Sequence, residues 1–454
     1  MSGANGKAAP DFVAPDVAVV GFGYIGSVIA AVLAARGVSV VGIDTNAEMI
    51  AALNAGRCPI PEPGLEELVA AGVAAGKLSG STDPAAARGA KAVLITVGTP
   101  LSDEFEADLS HIRAACGAVA PFAHDGQLVM IKSTVPPGTT RLMHDEIFAA
   151  HAAVHMAFSP ERLAEGQAIR DLQAIPILVG GMDAAAGEAC AAFWRDAIPE
   201  IQVMALTSPE AAEMVKLADN LWIDLNVALA NELAKLADAL PYPIDVMEVI
   251  GGANSLKKGQ HHVNILYPSN GVGGYCLTKD PWFVDAIGRR AGVELKIPRA
   301  SREVNDSMPG HVFARVDGFL KGKGVAPAAA KVALLGFAFK SNSGDCRFTP
   351  VGPLVQALRA AGYGDRLSIC DPMVTEREAT HHGVTLEPDW RATVADADAV
   401  LILAGHDAFA AIGADDLATL AKPGALVYDG RIYYPRARIE ELEAKGLTYI
   451  GVGR

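Results

Sequence analysis

Residues 17–44 restrict the fold of this chain more than any other stretch. VAVV at 17–20 is a β-branched run leading into GFGYIG at 21–26. The Ala-rich SVIAAVLAARG follows with helical composition and ends on Gly37, and VSVVGID then closes on Asp44. Strand, glycine turn, helix, strand and acid, in that order, form the βαβ context of a dinucleotide-binding fold. Gly21 makes the tight turn, Gly23 admits a pyrophosphate, and Gly26 lets helix and strand pack closely. The helix N-terminus offers its unpaired amides to phosphate. Asp44, eighteen residues beyond Gly26, is placed to accept hydrogen bonds from ribose hydroxyls and to repel a 2′-phosphate, which favours NAD over NADP.

Further strands are predicted at 91–96 (KAVLIT), 127–132 (QLVMIK) and 154–158 (VHMAF), separated by helix-like segments. Such alternation predicts a parallel sheet with helices on both faces. The pattern changes after residue 206. Ser208 is placed as an N-cap with Pro209 at the first helical position, and the glycine-free run to Leu240 predicts one helix of about 45 Å. A helix this long bridges domains or builds a subunit interface more often than it fills a core. The series Trp222, Leu225, Leu229 and Leu233 has helical spacing and suggests a homodimer face. Strand signals resume at 331–336 (KVALLG), 367–372 (LSICDP), 399–405 (AVLILAG) and 425–431 (ALVYDGR). The expected class is α/β: two Rossmann-like parallel-sheet domains joined by a central helical domain. The expected boundaries are a flexible extension at 1–15, an NAD-binding domain at 16–206, a helical dimerisation domain at 207–322, and a C-terminal Rossmann-like domain at 323–454.

A chain of 454 residues exceeds one ordinary core. The net charge of −14 disfavours a binder that tracks nucleic-acid phosphates. Apolar runs are too short and too interrupted for a membrane span, and the first residues lack a signal-peptide pattern. Six scattered cysteines without paired or zinc-like spacing fit reduced thiols in the cytoplasm, and no metal site is expected.

The chemistry concentrates in a few strings. GVGGYCLTKDPW at 271–282 sets Cys276 between a glycine turn and the pair Lys279 and Asp280. Glycines permit close approach of a ligand, and a neighbouring ammonium favours the thiolate. A buried loop cysteine is the ordinary alternative. Together with a nicotinamide site, an activated cysteine suggests oxidation of a carbonyl through a thioester. VGTP at 97–100 and STVPPGTT at 133–140 follow strands, so Thr99 and Thr134 border the ligand edge of the sheet, although turn chemistry alone also accounts for them. SPERLAEG at 159–166 gathers Glu161, Arg162 and Glu165 at the same edge. Lys216 and Asn220 share one face of the long helix, suited to an oxyanion and a water or alkoxide. In GFAFKSNSGDCRFTP at 336–350, Lys340 and Arg347 suit phosphate, as does Arg431; solvated surface cations are the alternative.

These strings in this order resemble the UDP-glucose and GDP-mannose dehydrogenase family of nucleotide-sugar 6-dehydrogenases, over about residues 16–450. The resemblance implies two NAD-dependent steps that turn a sugar's primary alcohol into a carboxylate, with the sugar nucleotide bound between two Rossmann-like domains. It implies Cys276 as nucleophile, with Lys216, Asn220 and Asp280 as oxyanion, proton-transfer and water-handling groups. Glu161 matches an acid that works with a water held by Thr134. Cofactor contacts are implied for Gly21, Gly23, Tyr24, Ile25, Gly26, Asp44, Thr99, Thr134, Glu165, Lys279 and Arg347. Substrate contacts are implied for Glu161, Arg162, Leu163, Lys216, Asn220, His262, Gly273, Phe339, Lys340 and Arg431, and for the 267–273 loop that begins at Tyr267. SPER and GHDAF at 405–409 are similar to dehydrogenases of UDP-N-acetylhexosamines, especially UDP-N-acetylmannosamine. GGYCLTKD retains the lysine of the UDP-glucose branch, which keeps UDP-glucose as the alternative, with GDP-mannose more remote. His262 stands where relatives often carry arginine.

Overall fold

The computed structural model describes residues 14–259 and 261–454, so most of the expected 1–15 extension lies outside the described residues. The chain forms two compact units, one ending at Ala218 and the other beginning at Asp219. The first unit is built on one eight-stranded sheet in the order β3-β2-β1-β4-β5-β6-β7-β8. Its strands are β1 (Val17–Val20), β2 (Val40–Ile43), β3 (Leu78–Ser81), β4 (Ala92–Ile95), β5 (Leu128–Ile131), β6 (His155–Phe158), β7 (Ile177–Gly181) and β8 (Val203–Leu206). Val17 and Val19 face one buried core while Ala18 and Val20 face another, so the sheet is covered on both sides.

Strand order reverses beside β1, the switch point at which open α/β sheets bind ligands. The register keeps this edge level: Val20 pairs with Ile43 and Ile95, Ile95 with Ile131, and Ile131 with Phe158. The loops after β1, β4, β5 and β6 therefore leave from one line. The strands expected at 91–96, 127–132 and 154–158 join this sheet in parallel, and two further strands extend it beyond β6. β7 runs antiparallel to β6, with Ala157 opposite Gly181, and β8 then pairs parallel to β7. Strand composition encodes burial but not direction, so the reversal was not readable from the sequence.

The helices that position chemistry are α1 (Tyr24–Ala35), α2 (Thr139–Glu146), α3 (Pro209–Ala239), α4 (Tyr275–Arg290) and α5 (Ile297–Gly322). Ser208 caps α3 as expected, its hydroxyl accepting from the Ala211 amide at 3.1 Å. The helix departs from the usual amphipathic pattern, burying polar side chains beside Leu217 and several alanines. Glu213, Lys216, Asn220, Asp224 and Asn231 are buried, while Trp222, Leu229 and Leu236 are 47%, 45% and 55% exposed. Leu233 corrects the expected apolar series, because it packs against the core of the second unit.

The second unit carries a five-stranded, all-parallel sheet in the order β12-β11-β13-β14-β15. A two-residue hairpin, β9 (Lys257–Lys258) with β10 (His261–His262), precedes β11 (Val332–Leu335), β12 (Leu367–Cys370), β13 (Ala399–Ile402), β14 (Leu426–Asp429) and β15 (Thr448–Gly451). Among the described residues no helix is long and apolar enough to cross a membrane.

Candidate active site

The glycine turn of the first unit has the geometry its sequence predicts. Gly21 adopts φ 93°, and a Cβ at Gly26 would stand 2.0 Å from the Gly21 carbonyl oxygen. Nothing would meet a Cβ at Gly23 within 4 Å, which leaves its outer side open. The Phe22 amide donates to Asp44 Oδ2 at 2.7 Å and the Asn46 amide to Oδ1 at 2.8 Å, fixing the carboxylate beside the turn. Thr99 is buried, and its hydroxyl has no hydrogen-bond partner among the described residues. An orphaned hydroxyl at the switch-point edge fits a ligand supplied from outside. Tyr24 and Ile25 pack partly against the core, and the Tyr24 hydroxyl bonds the buried Glu62.

Glu62 also fastens the SPERLAEG loop, accepting from the amides of Gly166 at 2.6 Å and Ala168 at 2.7 Å. Glu165 precedes this anchor and is half-buried. Thr134 is half-buried next to Ser133, whose hydroxyl donates to the Val97 carbonyl at 2.7 Å and so ties the two threonine loops together. Glu161 is buried. Its Oε1 accepts from the Leu163 amide at 2.6 Å, and its Oε2 lies 3.8 Å from Lys132 Nζ. Burial pushes the Lys132 ammonium down while Glu161 opposes the shift. The Leu163 side chain packs on the core, and Arg162 Nη1 donates to the Pro176 carbonyl at 3.4 Å.

Lys216 is buried on α3, one turn beyond Glu213. Glu213 caps α2, accepting from the Gly138 amide at 2.6 Å, the Thr140 amide at 2.8 Å and the Thr140 hydroxyl at 2.7 Å. It anchors the STVPPGTT loop to the helix that bears Lys216. Burial pushes its carboxyl up to about 7 against these hydrogen bonds.

In the second unit Cys276 is exposed in the first turn of α4, the positive end of the helix dipole, which favours an anion. The other five cysteines are buried. Behind it, Asp280 is fully buried, with Asn220 Nδ2 at 2.5 Å from Oδ2 and Lys279 Nζ at 2.5 Å from Oδ1. Lys279 lies 4.4 Å from the Phe283 ring centre. Asn220 and Asp280, sixty residues apart, are thus brought into direct contact.

The glycine turn before Cys276 lies flat against Phe339: a Cβ would come 2.5 Å from that side chain at Gly273 and 2.6 Å at Gly274. The Gly274 amide donates to the Arg347 carbonyl at 3.0 Å, and the Arg347 guanidinium is forked onto Asp345. Asn270, within the 267–273 loop, donates its amide to the Gly430 carbonyl at 2.8 Å, beside Arg431. Its Oδ1 is buried without a partner among the described residues. Burial pushes the Arg431 guanidinium down, opposed by Asp429. Lys340 is half-buried on the loop after β11. Tyr267 and His262 are exposed, His262 opposite Lys257 in the small hairpin.

Three domain profiles match in order: the NAD binding domain of the UDP-glucose/GDP-mannose dehydrogenase family at residues 15–198, its central domain at 210–307 and its UDP binding domain at 333–436. The chain belongs to the UDP-glucose/GDP-mannose dehydrogenase family. An NDP-N-acetyl-D-galactosaminuronic acid dehydrogenase of Ralstonia nicotianae is 35% identical over 414 residues, covering 88% of this chain and 93% of that protein. A UDP-N-acetyl-D-mannosamine dehydrogenase of Methanococcus maripaludis is 33% identical over 411 residues, covering 90% of each. The solved structure of a UDP-D-ManNAc dehydrogenase from Pyrococcus horikoshii superposes with a TM-score of 0.85 at 30% identity, covering 96% of this chain and 99% of that one.

As a family member the chain is an oxidoreductase, and its NAD binding domain includes Asp44, Thr99 and the Gly21–Gly26 turn. The residues fit this cofactor: the open side of Gly23 admits a phosphate, and Thr99 carries an unsatisfied hydroxyl. Asp44→Ala is expected to narrow the preference for NAD over NADP by at least about tenfold if, as its place at the end of β2 predicts, the carboxylate repels a 2′-phosphate. The check is kcat/KM with each cofactor; equal wild-type efficiencies would remove the argument. Sequence reasoning missed Lys132 and Glu62. The signal for Lys132 was an ammonium closing the apolar strand QLVMIK, where an unpaired charge is costly. That for Glu62 was an acid set among the prolines and glycine of PIPEPG.

Proposed function

We propose that this enzyme oxidises the sugar C6 alcohol of a UDP-N-acetylhexosamine, UDP-N-acetylmannosamine foremost, to the uronate through a Cys276 thioester. The observation that carries the reading is an exposed cysteine in a helix first turn, backed by the buried Asn220–Asp280–Lys279 cluster, in a chain with an NAD binding domain. The names of the relatives from Ralstonia and Methanococcus support the N-acetylhexosamine class. NAD supplies the hydride acceptor, one molecule for each two-electron step.

In this reading the alcohol loses a hydride and a proton to give an aldehyde. The Cys276 sulfur adds to its carbonyl carbon, forming a C–S bond and an oxyanion that takes up a proton. Loss of a second hydride and of the hydroxyl proton turns this thiohemiacetal into a thioester, and water cleaves the C–S bond to release carboxylate, a proton and the thiol. Splitting the oxidation across a covalent intermediate divides one difficult step into easier ones. Lys216 and Asn220 answer the negative oxygen that develops on addition and on hydrolysis. Asp280, Glu161 and Thr134 handle the proton and the water. Lys340 and Arg431 meet phosphate of the sugar nucleotide, with Phe339 and Gly273 shaping the turn that receives it. We assign Lys279 and Arg347 to the cofactor.

The test is NADH formed per uronate over UDP-N-acetylmannosamine, UDP-N-acetylglucosamine, UDP-glucose and GDP-mannose. Two NADH per sugar, fastest with an N-acetylhexosamine, is expected. One NADH per sugar would overturn the thioester, and a clear preference for UDP-glucose would overturn the substrate class.

The exposed apolar face of α3 supports a homodimer. Trp222, Leu225, Leu229 and Leu236 recur at helical spacing and are all exposed. Leu229→Asp with Leu236→Asp is expected to shift sedimentation from dimer to monomer at micromolar concentration. A fully active wild-type monomer would exclude this interface.

A further inference from the structure

Pro281 lies inside α4, five residues after Cys276. Proline has no amide hydrogen, so the carbonyl four residues earlier, that of Leu277, loses its donor within the helix. Leu277 directly follows the nucleophile. Its carbonyl oxygen accepts instead from Arg302 Nη1 of α5, at 3.3 Å.

Arg302 is itself buried, and the same Nη1 lies 2.6 Å from Asp224 Oδ1 while Nη2 bonds Asp306. Asn305 Nδ2 holds Asp224 in place, 2.9 Å from its backbone oxygen and 2.8 Å from Oδ1. Asp224 stands one helical turn beyond Asn220 on α3. The turn carrying Cys276 is therefore tied to α3 at two levels. Asn220 bonds Asp280, and Asp224 reaches the Leu277 carbonyl through Arg302. The network is not saturated: Arg302 Nε and Asp224 Oδ2 are buried with no partner among the described residues. Buried charges with atoms left unsatisfied are a poor device for stability, since apolar side chains of similar volume fill such space as well or better. Their better-supported use is to fix one arrangement.

We infer that Arg302 is a positioning residue, which substitutes for the helix hydrogen bond abolished by Pro281 and thereby sets the turn of Cys276 against Asn220 and Asp280. The inference rests on the proposed role of Cys276 as nucleophile.

The test exploits the proline. Arg302→Lys keeps a cation for Asp224 but loses the planar fork that serves the Asp224 and Leu277 oxygens from one nitrogen and Asp306 from the other. It is expected to lower kcat about 10- to 100-fold with KM values little changed, as a displaced reacting group does. Pro281→Ala returns an amide donor to the Leu277 carbonyl. In that background Arg302→Lys is expected to cost about twofold or less. The rate at which iodoacetamide alkylates Cys276 in the full-length protein, read by peptide mass, should change with Arg302→Lys and return toward wild type in the double variant. Equal losses in both backgrounds, or an unchanged kcat and alkylation rate in the single variant, would overturn the inference. A wild type that forms no uronate would sink the functional reading alone, because the alkylation arm still decides whether Arg302 sets the cysteine.

Discussion

Cys276→Ser is expected to lower uronate formation by at least about a thousandfold, with little change in the binding of NAD or sugar nucleotide. Serine matches the size of cysteine but is a poor nucleophile without a strong base beside it, and an oxygen ester resists hydrolysis more than a thioester. The structure makes a selective companion measurement available. Cys276 is exposed, whereas burial pushes Cys116 and Cys190 up to about 12 and Cys346 and Cys370 up to about 11, and raises Cys58 as well. Iodoacetamide should therefore label Cys276 before the other five, and sugar nucleotide should protect it. Uronate production by the serine variant near the wild-type rate would end the thioester mechanism.

Asp280→Asn is expected to damage both rate and stability. The carboxylate is fully buried and gives one oxygen to Asn220 and the other to Lys279. An asparagine offers one acceptor and one NH2 group, so either flip sets a donor against the Asn220 amide or against the Lys279 ammonium. Lys279 is itself buried and would be left facing the Phe283 and Tyr275 rings, 4.4 and 5.4 Å away. Breaking such a pair from one side costs roughly 3–5 kcal/mol, and loss of a proton-transfer group lowers kcat roughly 10²- to 10⁴-fold. A shift of the urea midpoint together with the fall in kcat is the expected pair of results. A variant of wild-type stability and rate would remove Asp280 from the mechanism.

The parts of the site that were legible in the sequence are those in which local backbone geometry and chemistry coincide. GFGYIG followed by a helix and Asp44 is such a case, since a short strand, a positive-φ glycine and an acid at the next strand end are all local requirements. GVGGYC is another: the structure presses Gly273 and Gly274 against Phe339, where a side chain has no room. The less legible parts are pairings across long separations. Lys340, Arg347 and Arg431 were candidates by residue type and by the family resemblance, whereas the bonds from Gly274 to Arg347 and from Asn270 to Gly430 show which loops meet. His262 was singled out for its identity, and the structure places it exposed in a two-residue strand.

By itself the sequence determined two Rossmann-like sheets, a long helix between the strand-rich segments, and a cysteine delivered by a glycine turn. Hydrophobic periodicity, helix caps and turn residues act over a few neighbouring positions, so they are written in the order of the residues. Only the tertiary structure decided that β7 reverses direction, that Leu233 turns inward while Trp222 and Leu229 stay exposed, and that Lys132 lies near Glu161. It also decided that Arg302 serves the carbonyl Pro281 leaves open. The reason is common to all four. Periodicity specifies that a side chain or a backbone group must find a partner, but the identity of a partner dozens of residues away follows from how the helices and sheets pack.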